Sequence, residues 1–356
     1  MRVYNLECPP THAYIVDNYV VSNCGFCAYR MSGNSSNELF QIHEGQSRSA
    51  RNPKRIIPKA KCFEILDDCK EMDVKAIQFT GGGEPTIHPD FCEIVGYAQE
   101  LGFETALVTN GNMLVRDEHL DVCQKMKWVR VSVDAGTPKY YMNERGVGRG
   151  AWERMLVGVK SLTALVAHSG SETLIGAGFV VTPGNWREIP EAVALYRELG
   201  FHNVRLGLMF SPDNSAPYAR RRVEIEALAE ETTRLFTAKN FQVINRVSEK
   251  LHELDVGHPE FEFCSYQHFT SYLAGDLNVY RCCILAYNSR GIVGNLEHQR
   301  FKSLWDSPKK VDNFDTFNAR GCERCQFMEI IEKTNAHIDS SVDKVRGPLP
   351  PHHNFT

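Results

Sequence analysis

The stretch Ser22-Asn23-Cys24-Gly25-Phe26-Cys27 combines residues of two different chemistries. An asparagine side-chain amide can attack its own backbone carbonyl and cleave the bond that follows, and the cysteine in the next position is a nucleophile. Cys24 and Cys27 also form a CxxC pair, and paired thiolates bind either zinc or an iron–sulfur cluster. We therefore expect a cleavable junction between Asn23 and Cys24, and a metal site that begins at Cys24.

The segment before this junction, residues 1–23, predicts a small β-hairpin structure. The predicted strands are 3–7, 13–16 and 19–21. The segment resembles the C-terminal end of an intein, and the resemblance implies that His12 polarises the Asn23 carbonyl or relays protons. Ser22 stands where many inteins carry histidine. The alternative is an ordinary hairpin that ends at a metal site.

The intein resemblance implies a partner for this segment. A segment of this length cannot bury a core of its own. We therefore expect an N-terminal extein/intein fragment, either as a separate polypeptide or as upstream sequence. Splicing would join that fragment to Cys24.

The run Cys24-Gly25-Phe26-Cys27 resembles the second half of the CxxxCxxC motif of radical S-adenosylmethionine (SAM) enzymes. The first cysteine of that motif would fall at position 20, which is Val20 and cannot bind iron. Splicing accounts for this gap, because the upstream fragment would supply the missing thiolate. In the family, three thiolates hold a [4Fe–4S] cluster whose fourth iron binds SAM. A zinc site is the alternative for the CxxC pair.

Helices and strands alternate regularly from residue 57 to about residue 237. The predicted strands are 74–80, 104–109, 128–134, 174–182 and 204–209. The predicted helices are 58–72, 89–101, 117–126, 151–167, 186–199 and 223–237. This alternation predicts an α/β fold with a parallel sheet, and the number of units suits a partial (β/α)6 TIM-like barrel of the radical SAM type without its first strand. In such folds the chemistry lies at the carboxyl ends of the strands.

The predicted strand 74–80 leads into Gly82-Gly83-Glu84-Pro85, which resembles the GGEP motif of the family. Glycine lets the backbone approach a ligand closely. The resemblance implies that Gly82, Gly83, Glu84 and Pro85 bind SAM, with Glu84 accepting from the SAM ammonium group. An ordinary tight turn between strand and helix is the alternative.

Polar residues at the ends of later strands are further SAM candidates. Ser132 and Asp134 alternate along the predicted strand 128–134, so their side chains should share one face, and they match positions that contact SAM in the family. Asn110 ends another strand. Arg145 stands where relatives carry an arginine for the SAM carboxylate.

For two further groups of residues, the sequence leaves two alternative roles open. The residues Gly176, Gly178 and Asn185 lie near the position of adenine in the family, or else serve turns and packing. The basic runs at 48–55 and 220–222 form solvated faces, or else contact phosphate or RNA.

The C-terminal part of the chain carries Cys264, the adjacent pair Cys282 and Cys283, and a second CxxC pair, Cys322 and Cys325. This arrangement resembles the SPASM/Twitch extension of some radical SAM enzymes. It implies a Cys-rich α+β extension with one auxiliary [4Fe–4S] cluster, and the glycine spacing favours Cys282 over Cys283 as a ligand. Four thiolates also suit zinc, which is the alternative.

Composition excludes several other classes of protein. The net charge of −4 gives no basic field of the kind that marks nucleic-acid binders. There is no signal-peptide pattern and no apolar run of about 18–20 residues that could cross a membrane, so we expect a cytoplasmic location and no membrane association. In a reducing compartment the twelve cysteines are metal ligands or core residues rather than disulfides. The core cysteines are predicted to be Cys62, Cys69, Cys92 and Cys123.

The predicted domains are 1–23, 24–240 and 241–356. The radical SAM resemblance implies reductive cleavage of SAM by the [4Fe–4S] cluster and hydrogen abstraction from an unknown substrate. The SPASM-like extension suggests a peptide or protein substrate, and a small molecule or RNA is the alternative. It also implies an electron donor such as flavodoxin or ferredoxin. The alternatives are a splicing precursor that is inactive as a radical enzyme in this form, and a zinc-binding module without redox chemistry.

Overall fold

The computed structural model describes residues 13–16, 19–22, 56–81, 83–211, 213–323 and 325–339. The chain divides into two compact units, one made of residues 1–27 and 76–251 and the other of residues 28–75 and 252–356. The segments at 13–22 and 76–251 contain the predicted hairpin and the predicted parallel sheet. The domain boundaries given by the sequence stay a prediction.

The described part of the chain contains eleven strands. They are β1 Ala13–Val16, β2 Tyr19–Ser22, β3 Ala76–Phe79, β4 Glu104–Thr109, β5 Trp128–Ser132, β6 Leu174–Val181, β7 Asn203–Leu208, β8 Gln242–Asn245, β9 Tyr272–Leu273, β10 Asn278–Tyr280 and β11 Ile292–Asn295. It also contains twelve α-helices. They are α1 Lys59–Glu71, α2 Phe91–Glu100, α3 Asp117–Cys123, α4 Pro138–Arg145, α5 Arg149–Ser169, α6 Ile189–Glu198, α7 Arg222–Phe236, α8 Val247–Val256, α9 Tyr266–Phe269, α10 Phe301–Trp305, α11 Pro308–Asp315 and α12 Met328–Asp339.

The N-terminal hairpin forms as the sequence predicts for two of its three strands. Strands β1 and β2 pair antiparallel, with Ala13 opposite Ser22 and Val16 opposite Tyr19. The predicted strand at 3–7 lies outside the described residues, as do His12, Asn23, Cys24 and Cys27.

Strands β3 to β8 form one parallel sheet in sequential order. Helices connect successive strands, so the α/β fold class with its parallel sheet is confirmed. The sequence did not predict β8, a strand of four residues with a polar residue at each end. Its pairing with β7 makes it the sixth strand of the sheet.

The two faces of this sheet differ in character. Sequential strand order with right-handed crossovers places the connecting helices on one face. Val131 of β5 faces α5, because a Cβ added at Gly111 would lie 2.9 Å from Val131 Cγ1 and 3.3 Å from Met155 Cγ. Alternate residues point the other way, so Arg130 and Ser132 lie on the opposite face, here named the inner face. These two inner-face residues are only partly buried, whereas Val131 is fully buried.

The C-terminal unit is built around a small antiparallel sheet in the order β11-β10-β9. The chain turns between β9 and β10 through Leu277, which has a φ of +63°. Helix α1 lies beside α10 in this unit, where Arg300 pairs with Asp68 at 2.5 Å and Lys302 pairs with Glu71 at 2.9 Å.

The four cysteines predicted to lie in the core differ in burial. Cys69 and Cys123 are buried, as predicted, whereas Cys62 and Cys92 are half-buried. Within the described ranges, no helix combines the length and apolar character needed to cross a bilayer.

Candidate cofactor sites

The turn after β3 is held by the carboxylate of Glu84. Its Oε1 accepts from Thr86 N at 3.2 Å, from Thr86 Oγ1 at 2.6 Å and from Thr109 Oγ1 at 2.6 Å. Its Oε2 accepts from Asn110 N at 2.7 Å. One buried side chain therefore ties the β3 turn to the end of β4 and brings two predicted SAM residues, Glu84 and Asn110, together.

His119 of α3 contacts the same turn through a hydrogen bond to its backbone. Its Nε2 lies 3.0 Å from the carbonyl oxygen of Thr86, so Nε2 carries the proton and donates it. The ring stacks on Phe91 with centroids 5.6 Å apart. Burial lowers the pKa of His119, and the hydrogen bond to Thr86 and the charge of Glu118 oppose that shift. Sequence reasoning missed His119 because no motif surrounds it.

We expect His119 to make the stability of this unit depend on pH. Its folded-state pKa lies below the usual value of 6.5, so the unfolded chain binds more protons between those two values. The stabilisation is complete above about pH 6.5 and is lost as the pH falls through the folded pKa. The denaturation midpoint of the native chain should therefore drop more than that of His119→Gln between about pH 7.5 and pH 5.5. Burial also lowers the pKa values of His202 and His268. Both residues are present in both proteins, so their contributions to the pH dependence cancel in the comparison. Equal slopes would contradict the expectation.

The end of β5 carries a buried ion pair. Asp134 accepts from Arg145 Nη2 at 2.5 Å through Oδ2 and from Val180 N at 2.7 Å through Oδ1. Arg145 also donates to the carbonyl of Ser132 at 2.6 Å. Burial raises the pKa of Asp134 and the Arg145 charge opposes this. The structure thus brings Ser132, Asp134 and Arg145 together, but the carboxylate and the guanidinium bind each other.

Asp134 does not continue β5. The strand ends at Ser132, and Asp134 has a φ of +61°, so strand alternation does not set its direction. Asn185 donates from Nδ2 to the Asp134 carbonyl at 3.0 Å, and its Oδ1 accepts from Thr182 N at 2.7 Å. These contacts favour the packing interpretation of Asn185.

Removing one partner of the buried pair should strongly destabilise this unit. We expect Arg145→Met to lower the free energy of unfolding by roughly 3–5 kcal/mol, because it leaves the Asp134 carboxylate buried without its counter-charge. Chemical denaturation followed by circular dichroism measures the change. The matched control is Arg149→Met, which removes an exposed pair with Glu153 and should change stability by less than about 1 kcal/mol. A similar loss of unfolding free energy in Arg145→Met and Arg149→Met would contradict a stabilising role of the buried Asp134–Arg145 pair.

Four thiols of the C-terminal unit lie close enough to act on one another electrostatically. Burial is the main cause that raises the pKa of Cys264, Cys282, Cys322 and Cys325. The charge of Cys264 further raises the pKa of each of the other three. Burial also raises the pKa of Cys283, to about 11. After burial, the charge of the adjacent Cys283 raises the pKa of Cys282 more than the charges of Cys325 and Cys264 do. The choice of Cys282 over Cys283 as a ligand stays a prediction from the glycine spacing of the sequence.

Two arginines place positive charge beside these thiols. The guanidinium carbons of Arg281 and Arg290 lie 3.9 Å and 5.0 Å from the Phe317 ring centroid. Both charges lower the pKa of Cys322, and Arg281 also lowers that of Cys264. Positive charge favours thiolates, the form that binds metal. The donor set fits an iron–sulfur cluster in its chemistry, although no three Cys, His, Asp or Glu side chains in the described residues are arranged to hold a metal ion.

The fold is an α/β fold in which the predicted cofactor residues lie at the carboxyl ends of a parallel sheet, and the chain also has a cysteine-rich extension. The chain belongs to the Radical SAM superfamily, whose family model matches residues 21–216. A second family model, SPASM, described as an iron–sulfur cluster-binding domain, matches residues 264–326. The first domain implies a [4Fe–4S] cluster with SAM, and the second implies auxiliary iron–sulfur clusters, as the sequence predicts. Individual ligand assignments stay predictions.

Curated relatives match the chain over different lengths. An S-adenosylmethionine-dependent nucleotide dehydratase of Selenomonas ruminantium is 37% identical over 78 residues, which is 21% of this chain and 28% of the relative. An AdoMet-dependent heme synthase of Methanosarcina barkeri is 24% identical over 280 residues, or 72% of this chain and 76% of the relative. The chain spans between 28% and 47% of the length of the first three relatives it matches.

Solved structures show the same fold. SuiB of Streptococcus suis bound to its precursor peptide SuiA superposes with a TM-score of 0.57 at 16% sequence identity, covering 87% of this chain and 70% of SuiB. This similarity concerns the fold alone.

Proposed function

We propose that this chain is a radical SAM enzyme that acts on a peptide or protein substrate and uses an auxiliary iron–sulfur cluster. The group formed by Cys264, Cys282, Cys322 and Cys325 supports the proposal most directly, because it supplies four thiolate donors inside the matched SPASM region. A peptide substrate is suggested by the likeness in fold to SuiB, which was solved with a precursor peptide. Cys24 and Cys27 would hold the SAM-binding cluster.

When bound, the cluster and SAM supply the radical chemistry that removes a hydrogen atom from the substrate. The residues of this chain prepare the site. Glu84 fixes the turn that carries Gly83 and Pro85 against Asn110 of the next strand. Arg145 and Asp134 fix the loop after β5, so that the Ser132 side chain keeps its place on the inner face. Such prepositioned groups lower the reorganisation required during the reaction.

SAM cleavage tests this function. The chain, joined to its upstream cysteine and reconstituted anaerobically with iron and sulfide, should form 5′-deoxyadenosine from SAM when dithionite supplies electrons. A flavodoxin or a ferredoxin is the proposed physiological donor. Peptide pools should raise the yield above that seen with small molecules alone. A reconstituted protein that binds zinc but no iron would instead identify a zinc module.

Splicing at Asn23 and Cys24 is a second proposal. It rests on the sequence pattern around His12, Asn23 and Cys24, and on the β1–β2 hairpin that ends one residue before Asn23. The family matches lend it no support. Mixing the chain with an N-terminal intein fragment should give a ligated product on a gel, and Asn23→Ala should give none. If splicing is required for the third cluster thiolate, the unspliced chain is inactive as a radical enzyme. A cytoplasmic location likewise stays a proposal from the sequence.

A further inference from the structure

Arg281 is a buried cation in the cysteine-rich part of the chain. It directly precedes Cys282, and only 3% of its surface is exposed. Its guanidinium carbon lies 3.9 Å from the Phe317 ring centroid. Its Nη1 donates to Oε1 of Gln267, and its Nη2 donates to Oδ1 of Asn313 at 2.6 Å. The guanidinium is therefore fixed in position, and both of its acceptors are neutral amides.

Among the described residues, no carboxylate pairs with Arg281. Burial lowers its pKa to about 10, and the charges of Cys282, Cys264 and Cys322 oppose that shift. The remaining charge that acts on it, that of Arg290, is positive. A buried charge is costly unless an opposite charge lies beside it. The counter-charge of Arg281 therefore lies among the thiols.

Two buried hydrogen-bond donors next to these cysteines have no acceptor within the part of the chain that the structure describes. They are Nε of Arg281 and the hydroxyl of Ser265, which directly follows Cys264 and is 1% exposed. Buried donors are normally paired, because an unpaired donor has lost its hydrogen bonds to water without replacement. The sulfur atoms of an iron–sulfur cluster accept hydrogen bonds. A cluster held by these cysteines thus fits both donors.

We propose that Arg281 raises the reduction potential of the auxiliary iron–sulfur cluster through its positive charge and its Nε–H donor. This inference rests on the proposed function, because it requires a cluster in this cysteine group. A cluster held by four thiolates gains one negative charge when it is reduced. A buried cation beside it therefore stabilises the reduced form more than the oxidised form. Net charge and hydrogen bonds to sulfur are among the properties that set cluster potentials.

A redox titration of the full-length chain, followed by electron paramagnetic resonance, tests this role. The chain carries Cys24→Ala and Cys27→Ala and is reconstituted anaerobically with iron and sulfide, so that only the auxiliary cluster is measured. At a fixed ambient potential, Arg281→Met should lower the ratio of reduced to oxidised cluster about tenfold, the size expected for one unit charge acting across a partly buried site. For a one-electron couple, a tenfold change corresponds to about 59 mV.

Arg320→Met is the matched control for removal of an arginine. Arg320 lies two residues before Cys322, but it is exposed and pairs with Glu262 at 2.9 Å. Since water screens its charge and a carboxylate neutralises it, its removal should leave the potential unchanged.

Asn313→Asp tests the same charge without removing Arg281, and it serves if Arg281→Met does not fold. The new carboxylate keeps an acceptor for Nη2 and neutralises the guanidinium, so the ratio of reduced to oxidised cluster should again fall about tenfold. Asn318→Asp makes the same chemical change at an exposed position and should change the ratio by less than about twofold.

The iron content of the native chain separates the two possible failures. If the cluster assembles and both Arg281→Met and Asn313→Asp keep the native potential, this inference fails and the proposed function stands. Loss of iron from both variants would show that Arg281 is needed to hold the cluster, which would also overturn a role in setting its potential. If the native chain binds zinc or no iron, the proposed function fails, and this inference fails with it.

Discussion

Cys282→Ala is expected to remove the auxiliary cluster, whereas Cys283→Ala should leave it in place. The glycine spacing of the sequence favours Cys282 as the ligand, and the charges of Cys325 and Cys264, besides that of the adjacent Cys283, act on the Cys282 thiol. A [4Fe–4S] cluster that loses one of its four thiolate ligands is expected to lose most of its iron, about four atoms per chain. The neighbouring cysteine is a close match for chemistry and burial, so the pair of variants separates ligand loss from general disturbance.

Iron and sulfide content after anaerobic reconstitution, with the electron paramagnetic resonance signal of the reduced protein, measures this effect. Both variants should be made in a chain that also carries Cys24→Ala and Cys27→Ala, so that only the C-terminal cluster is counted. Equal iron loss in the two variants, or greater loss in Cys283→Ala, would refute the assignment of Cys282.

Glu84→Ala should lower the rate of 5′-deoxyadenosine formation by about 10²–10³-fold, the size of effect seen when a positioned polar group of an active site is removed. The carboxylate accepts four hydrogen bonds from Thr86, Thr109 and Asn110. Without it, the turn that bears the predicted SAM residues is no longer tied to β4. Hydrogen bonds to a charged group contribute about 1.5–3 kcal/mol each, so this variant should also be less stable.

Glu84→Gln separates the two effects. Its amide nitrogen would face a backbone N–H or a hydroxyl donor, so it keeps only part of the network and should fall between Glu84→Ala and the native chain. Glu100→Ala, which removes an exposed carboxylate at the end of α2, is the control and should leave SAM cleavage unchanged. A Glu84→Ala protein with native activity would show that the turn needs no such support.

The sequence predicted the parts of this protein that depend on local spacing. Alternating helices and strands indicated the parallel sheet, and five of its six strands were located before the structure was known. The missed strand, β8, is only four residues long and shows too short an apolar pattern to stand out. The order of the motifs around Cys24, Glu84 and Cys322 sufficed to identify the family, because each motif is a short run of neighbouring residues.

Contacts between distant positions were decided by the tertiary structure. Glu84 bonds to Asn110, 26 residues later, and His119 supports Thr86 from another helix. No spacing rule links such residues, since strand pairing and helix packing bring them together. The same reason applies to Arg130 of β5 and Arg205 of β7, which are 75 positions apart in the sequence but lie on the two strands that flank β6. Sequence alone thus determined which chemistry the chain carries, and folding decided which side chains share a site.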